Sequence, residues 1–175
     1  MPKLRIILKD QLTMDISALS GLCKANDIIF LSERLSDFNN VKHHKKKLIL
    51  LISAMRHFVN HLKHEGCTVM HEKLQRSEID LNSKIITTAI NYKCDEIVIT
   101  EPSEYEQMQQ ILDLQRQSTI HVTIKEDDRY LASKRQFNSW AEGRKELTME
   151  YFYRQMRKQT GLLINDGKPE GNKWN

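Results

Sequence analysis

The sequence predicts an α/β fold: an open, five-stranded, parallel, Rossmann-like sheet with helices on both faces, plus a C-terminal helix and loop extension. Three observations predict it. Five short apolar runs rich in β-branched residues recur along the chain, helix-length stretches separate them, and one such stretch carries a long apolar stripe. The order βαβαβαβαβ implies parallel strands joined by right-handed crossovers.

The runs at 3–8, 27–31, 67–70, 96–100 and 120–124 each suit a strand covered on both faces, because they are nearly continuous rather than alternating. Between the second and third, residues 45–63 place Leu48, Leu51, Ile52, Met55, Phe58, Val59 and Leu62 on one helical face. Such a stripe must cover a sheet. Residues 81–92 and 104–114 are shorter helices of the same kind. After the fifth strand the pattern changes: 129–140 reads as loop and short helix, and 147–158 as a helix with Met149, Phe152, Tyr153 and Met156 on one face. Gly161 ends that helix, and Gly167, Pro169 and Gly171 make the final stretch a loop or turn. The expected division is an α/β domain over 1–128 and a helical and loop extension over 129–175.

Composition narrows the function classes. At 175 residues, 39% hydrophobic and 29% charged, the chain suits one globular domain with an extension. No apolar run approaches the roughly 20 residues of a spanning helix, and no signal-peptide core follows Met1, so a cytoplasmic protein without membrane contact is expected. Cys23, Cys67 and Cys94 are odd in number and form no CxxC, which reads as reduced thiols and no metal site. The net charge of +4 is uneven, with cations concentrated at 42–47 and from Arg129 onward.

Ligands of open parallel sheets sit beyond the carboxyl ends of the strands, where strand order reverses. That rule selects Asp10 and Gln11, Ser32 and Glu33, His71 and Glu72, Glu101, and Asp127 with Asp128. This acidic rim suits a ring bearing N–H and hydroxyl donors; no GxGxxG or GxxxxGK[ST] loop is present to cradle a pyrophosphate. Cations at the start of a helix oppose its dipole, so Lys42 to Lys47 reads either as an anion or nucleic-acid contact or as a solvated helix start with neutral histidines. His57, His61 and His64 share a face opposite the apolar stripe and read as surface histidines. No nucleophile motif occurs, and no catalytic residue is assigned. Glu150 and Arg154, one turn apart, are expected to pair.

Several of these segments together resemble a known family. Asp10-Gln11-Leu12, His43-His44-Lys45-Lys46-Lys47 leading to Ser53-Ala54-Met55-Arg56-His57-Phe58, Thr100-Glu101-Pro102, Trp140 with Gly143-Arg144-Lys145, and the run from Met149 to Arg157 resemble the deoxyribodipyrimidine photolyase-related proteins, the bacterial iron–sulfur cryptochrome and (6-4) photolyase group. The resemblance spans essentially the whole chain. It implies an amino-terminal antenna domain, with FAD and an iron–sulfur cluster expected in a C-terminal flavin domain that is absent here, and a parent activity of light-driven DNA repair or blue-light sensing.

The resemblance also implies an antenna chromophore, 6,7-dimethyl-8-ribityllumazine, held by Asp10, Gln11, Leu12, Ser32, Glu33, Asp37, Asn40, Val41 and His44. Relatives place Gly where this chain has Lys9, and an aromatic where it has Asn40. Lys45, Lys46, Lys47, Arg144, Lys145, Arg154 and Arg157 are the candidate contacts for DNA or for the flavin domain. Two alternatives without catalysis stand beside this reading: a nucleic-acid-binding module, and an interaction domain that forms a homodimer through the helix around Tyr151 to Met156.

Overall fold

The computed structural model describes residues 1–34, 36–38, 41–75 and 80–174, the Asp37 side chain excepted. The chain divides into two compact units, Met1–Asp127 and Asp128–Asn175.

In the first unit, β1 (Lys3–Ile7), β2 (Ile28–Ser32), β3 (Thr68–Glu72), β4 (Glu96–Thr100) and β5 (His121–Lys125) form one parallel sheet in the order β3-β2-β1-β4-β5. The helices α1 (Lys45–His64), α2 (Leu81–Asn91) and α3 (Tyr105–Gln117) are the crossovers. Alternation along the strands separates two cores. Leu4, Ile6, Ile28, Phe30, Ile97 and Ile99 pack with Ile85 and Ala89 of α2 and Ile111 and Leu114 of α3. Ile7, Ile29 and Leu31 pack on the other face with Met55, Phe58, Val59 and Leu62 of α1. Both faces are covered, which is why the strand segments read as continuous apolar runs. The amino-terminal half of the α1 stripe is looser: Leu48, Leu51 and Ile52 are only half-buried, and Ile49 and Leu50 beside them are exposed.

The helix starts have identifiable caps. Asp80 accepts from the Ser83 N–H at 2.8 Å to begin α2. His44 begins α1 by accepting from the Lys46 N–H through Nδ1 at 3.1 Å. His57, His61 and His64 are exposed, and no cluster of three metal-ligating side chains occurs among the described residues.

The second unit contains α4 (Lys134–Ala141) and α5 (Met149–Thr160). A capping box between Ser133 and Gln136 starts α4, and Gly161, with φ 73°, ends α5. Phe152 packs on Phe137 and Trp140 with ring centroids 5.2 and 5.0 Å apart. The tail read from the sequence as loop or turn contains a two-stranded hairpin, β6 (Ile164–Asn165) with β7 (Lys168–Pro169). Two-residue strands have no period to read. The signal was the dipeptide Asp166-Gly167, whose positive φ values of 47° and 74° suit a primed hairpin turn.

Candidate functional site

The strand order reverses between β1 and β4, so the loops after these strands frame the crevice that an open α/β sheet usually offers a ligand. Here the crevice is filled by the chain itself. Gln11 is fully buried; its Oε1 accepts from the Leu8 N–H at 3.3 Å and its Nε2 donates to the Thr100 carbonyl at 3.2 Å, tying the two strand ends together. On the far side of β4, Thr100 Oγ1 accepts from the Ala18 N–H at 2.9 Å and lies 2.8 Å from Ser17 Oγ, which donates to the Glu126 carbonyl.

Glu33, beyond β2, is likewise turned inward. Its side chain has no exposure, and Arg56 of α1 donates to both carboxylate oxygens at 2.8 Å. His71 Nε2 lies 2.8 Å from Oε1, and the Leu74 N–H donates to Oε2 at 3.2 Å. Burial alone would raise this carboxyl, but the Arg56 and Leu74 donors and the charges of Arg56 and His71 outweigh it and hold it below the usual range. Burial dominates at His71 and favours its neutral form, against the pull of Glu33 and with a further push from Lys63 and Lys73. Glu33 is therefore a clamp joining β2, α1 and the segment after β3, and is no longer an open acceptor for a ligand.

What stays open is a shallow cleft on the α2/α3 side, lined by Lys9, Ser32, Arg34, Gln107 and Gln110 over Leu8, Phe30 and Leu81. It encloses about 20 Å3, room for about one water molecule. Gln107 contributes a carbonyl oxygen that is buried without a hydrogen-bond partner. Lys9 bridges to Glu104 at 3.0 Å and lies 5.5 Å from the ring of Phe38, which meets His43 edge-on at 6.0 Å. Phe38 is a rim aromatic that the sequence reading missed; its signal was its position two residues before Asn40.

The other predicted positions scatter. Asp10 is exposed, Leu12 packs half-buried against the α1-side core, and Val41 is exposed next to the capping His44. Asn40 and the Asp37 side chain lie outside the described residues. Lys45, Lys46 and Lys47 are exposed along the first turn of α1, and Lys47 Nζ lies 3.2 Å from His43 Nδ1. Among the described residues of the proposed chromophore set, only Ser32 lines the cleft.

The sequence of the rim and of the second unit has been met elsewhere. The family model described as deoxyribodipyrimidine photo-lyase-related protein matches residues 5–175. The chain belongs to this family. It is also 40% identical, over 180 aligned positions, to a (6-4) photolyase of Agrobacterium fabrum (strain C58 / ATCC 33970). That match covers 100% of this chain and 35% of the Agrobacterium protein, so the chain spans about a third of that relative's length.

In the second unit of this photolyase-related chain, the predicted surface cations divide. Lys145 is exposed. Arg144 is exposed but held: Nε donates to the Trp140 carbonyl at 2.6 Å and the guanidinium lies 4.7 Å from the Trp140 ring. Arg154 pairs with Glu150, as the one-turn spacing predicts. Arg157, another of the candidate contacts for DNA or the flavin domain, is turned into the fold. It is 7% exposed and donates to the carbonyls of Leu162 and Leu163, closing the turn after α5. No described helix is long and apolar enough to cross a membrane.

Proposed function

We propose that this chain forms the non-catalytic α/β part of a (6-4) photolyase-like protein, whose light-driven repair of DNA is carried out by residues outside it. One observation supports the reading most: the whole chain matches one third of a (6-4) photolyase, while the rim where its own sheet would host chemistry is closed by Gln11 and Glu33. FAD and the iron–sulfur cluster would belong to the remaining two thirds, and they would supply electron transfer to the lesion. Illumination of the purified chain with DNA carrying (6-4) photoproducts is expected to leave the lesions unchanged; loss of lesions at a rate set by chain concentration overturns the reading.

The antenna role is a second reading, supported by the cleft beside Lys9. Its polar lining would suit a hydroxyl of a lumazine's ribityl chain: Gln107 Oε1 is a buried acceptor without a donor, Ser32 and Arg34 are polar neighbours, and Phe38 lies near Lys9 of the lining. The enclosed volume suits one hydroxyl rather than a bicyclic ring. Bound, the group would supply light absorption only. Titration with 6,7-dimethyl-8-ribityllumazine, followed by its fluorescence, tests this; binding unaffected by Gln107→Leu, or no binding, rejects the cleft as the site.

A further inference from the structure

Lysine is seldom buried unless its ammonium has a partner, yet the Lys9 side chain is only 9% exposed. It spans from the end of β1 to the start of α3, where its Nζ donates to Glu104 Oε2 at 3.0 Å, and it lies 5.5 Å from the ring of Phe38. Glu104 precedes the first turn of α3 but makes no capping bond with its side chain, so its carboxylate is turned to Lys9 instead. The four-carbon stem of the lysine thus forms one wall of the cleft over Leu8, Phe30 and Leu81.

The cleft has the chemistry of a ligand site without the room for one. An apolar floor with one buried acceptor, Gln107 Oε1, suits a ring that carries N–H or hydroxyl donors. The space enclosed is about 20 Å3. Leu8 and Phe30 belong to the sheet core and cannot withdraw, so the capacity of the cleft is set at its rim. There Lys9 is held by a carboxylate that is 57% exposed, a pair that salt weakens.

We propose that Lys9 decides what this cleft admits. Latched to Glu104, its side chain takes the space a bicyclic ring would need, so the native cleft accepts a single hydroxyl and a ring enters only when the Lys9–Glu104 bridge breaks. This deepens the antenna reading and rests on its placing of the ligand in the cleft.

The test titrates 6,7-dimethyl-8-ribityllumazine, followed by its fluorescence, against the native chain, Lys9→Ala and Glu104→Gln. If the latch is open about a tenth of the time, Lys9→Ala is expected to bind about tenfold more tightly than the native chain, and Glu104→Gln to show part of that gain. Added salt should tighten binding to the native chain and leave Lys9→Ala unchanged. A Lys9→Ala chain that binds no more tightly than the native one, or a gain that survives Gln107→Leu, overturns the proposal. A readout without ligand covers a variant that does not fold: in the native chain the Lys9 amine should be acetylated about tenfold more slowly than that of exposed Lys46, and equal rates overturn the proposal as well. Absence of binding by the native chain together with binding by Lys9→Ala removes the antenna role of this chain and upholds Lys9 as its cause, so the two failures are distinguishable.

Discussion

Arg5 of the central strand donates from Nε to Asp27 Oδ2 at 2.7 Å, and both side chains are 3% exposed. The rest of each group is satisfied locally. Arg5 also donates to the carbonyls of Ala18, Ser20 and Gly21, and Asp27 accepts from the Lys3 and Cys23 N–H groups. The pair therefore fastens the β1–β2 connection, with its short 3-10 turn Ser17–Leu19, against the edge of the α1-side core.

Replacing Asp27 with Asn keeps the shape but leaves the buried Arg5 cation without its counter-charge. The expected loss is about 3 kcal/mol in urea denaturation, since breaking a buried pair from one side exposes the full desolvation penalty. Arg5→Met added to Asp27→Asn should restore part of that loss. A single-variant cost below about 1 kcal/mol would show the pair to be effectively solvated.

Stability should fall in two stages on acidification. His71 is held below the ordinary histidine value of 6.5, mainly by burial. Its contribution is fully present above 6.5 and is lost as pH drops from there through the folded value. Glu33 and Asp27 are held below their ordinary 4.5 and 3.8, because their donors outweigh burial, so their contributions are present above those values and are lost further down. Melting temperature is therefore expected to be flat from pH 7 up to the ordinary thiol value of 9.0, above which burial of Cys67 and Cys94 makes it fall, to decline below 6.5, and to decline more steeply below 4.5. His71→Gln retains an N–H for Glu33 and should remove only the first decline; persistence of that decline in the variant would assign it to another group.

Gln11→Leu tests the plug at the β1/β4 switch. The substitution preserves bulk but leaves the buried Leu8 N–H and one face of the Thr100 carbonyl without their side-chain partners. A cost of about 1 to 3 kcal/mol is expected, with faster amide exchange in the loop after β1. Unchanged stability would mean that water replaces the amide, and that the crevice is accessible after all.

Trp140→Ala tests the aromatic cluster of the second unit. Removing a 6% exposed indole that contacts Phe137, Phe152 and Arg144 should cost that unit about 3 kcal/mol or more. Exchange protection should be lost in α4 and α5 and kept in the strands of Met1–Asp127. A uniform loss across both units would show them to be one cooperative block.

The strands and the helices α1, α2 and α3 were legible because a strand covered on both faces must be apolar at every step, and a covering helix apolar every third or fourth. The 3.6-residue stripe from Leu48 to Leu62 and the run Glu96 to Thr100 therefore specify their own environments before folding. Gly161 announced a helix end because only a residue without Cβ adopts its backbone angles cheaply. The Glu150–Arg154 pair was legible for a similar reason: one helical turn fixes the distance.

The site residues were not legible in the same way. Position after a strand identifies which residues reach the rim, and Gln11, Ser32 and Glu33 do reach it; it does not say which way each side chain turns. Glu33 turns inward because Arg56, twenty-three residues away, meets it there, and Gln11 because the Thr100 carbonyl lies within reach across the reversal of strand order. The sequence by itself determined the period of each element, hence the α/β class and the two covered faces, since those depend on local geometry and hydrophobicity alone. Only the tertiary structure decided which polar groups are consumed in holding the fold and which remain to meet a ligand or partner, because hydrogen-bond satisfaction depends on donors and acceptors brought together from distant parts of the chain.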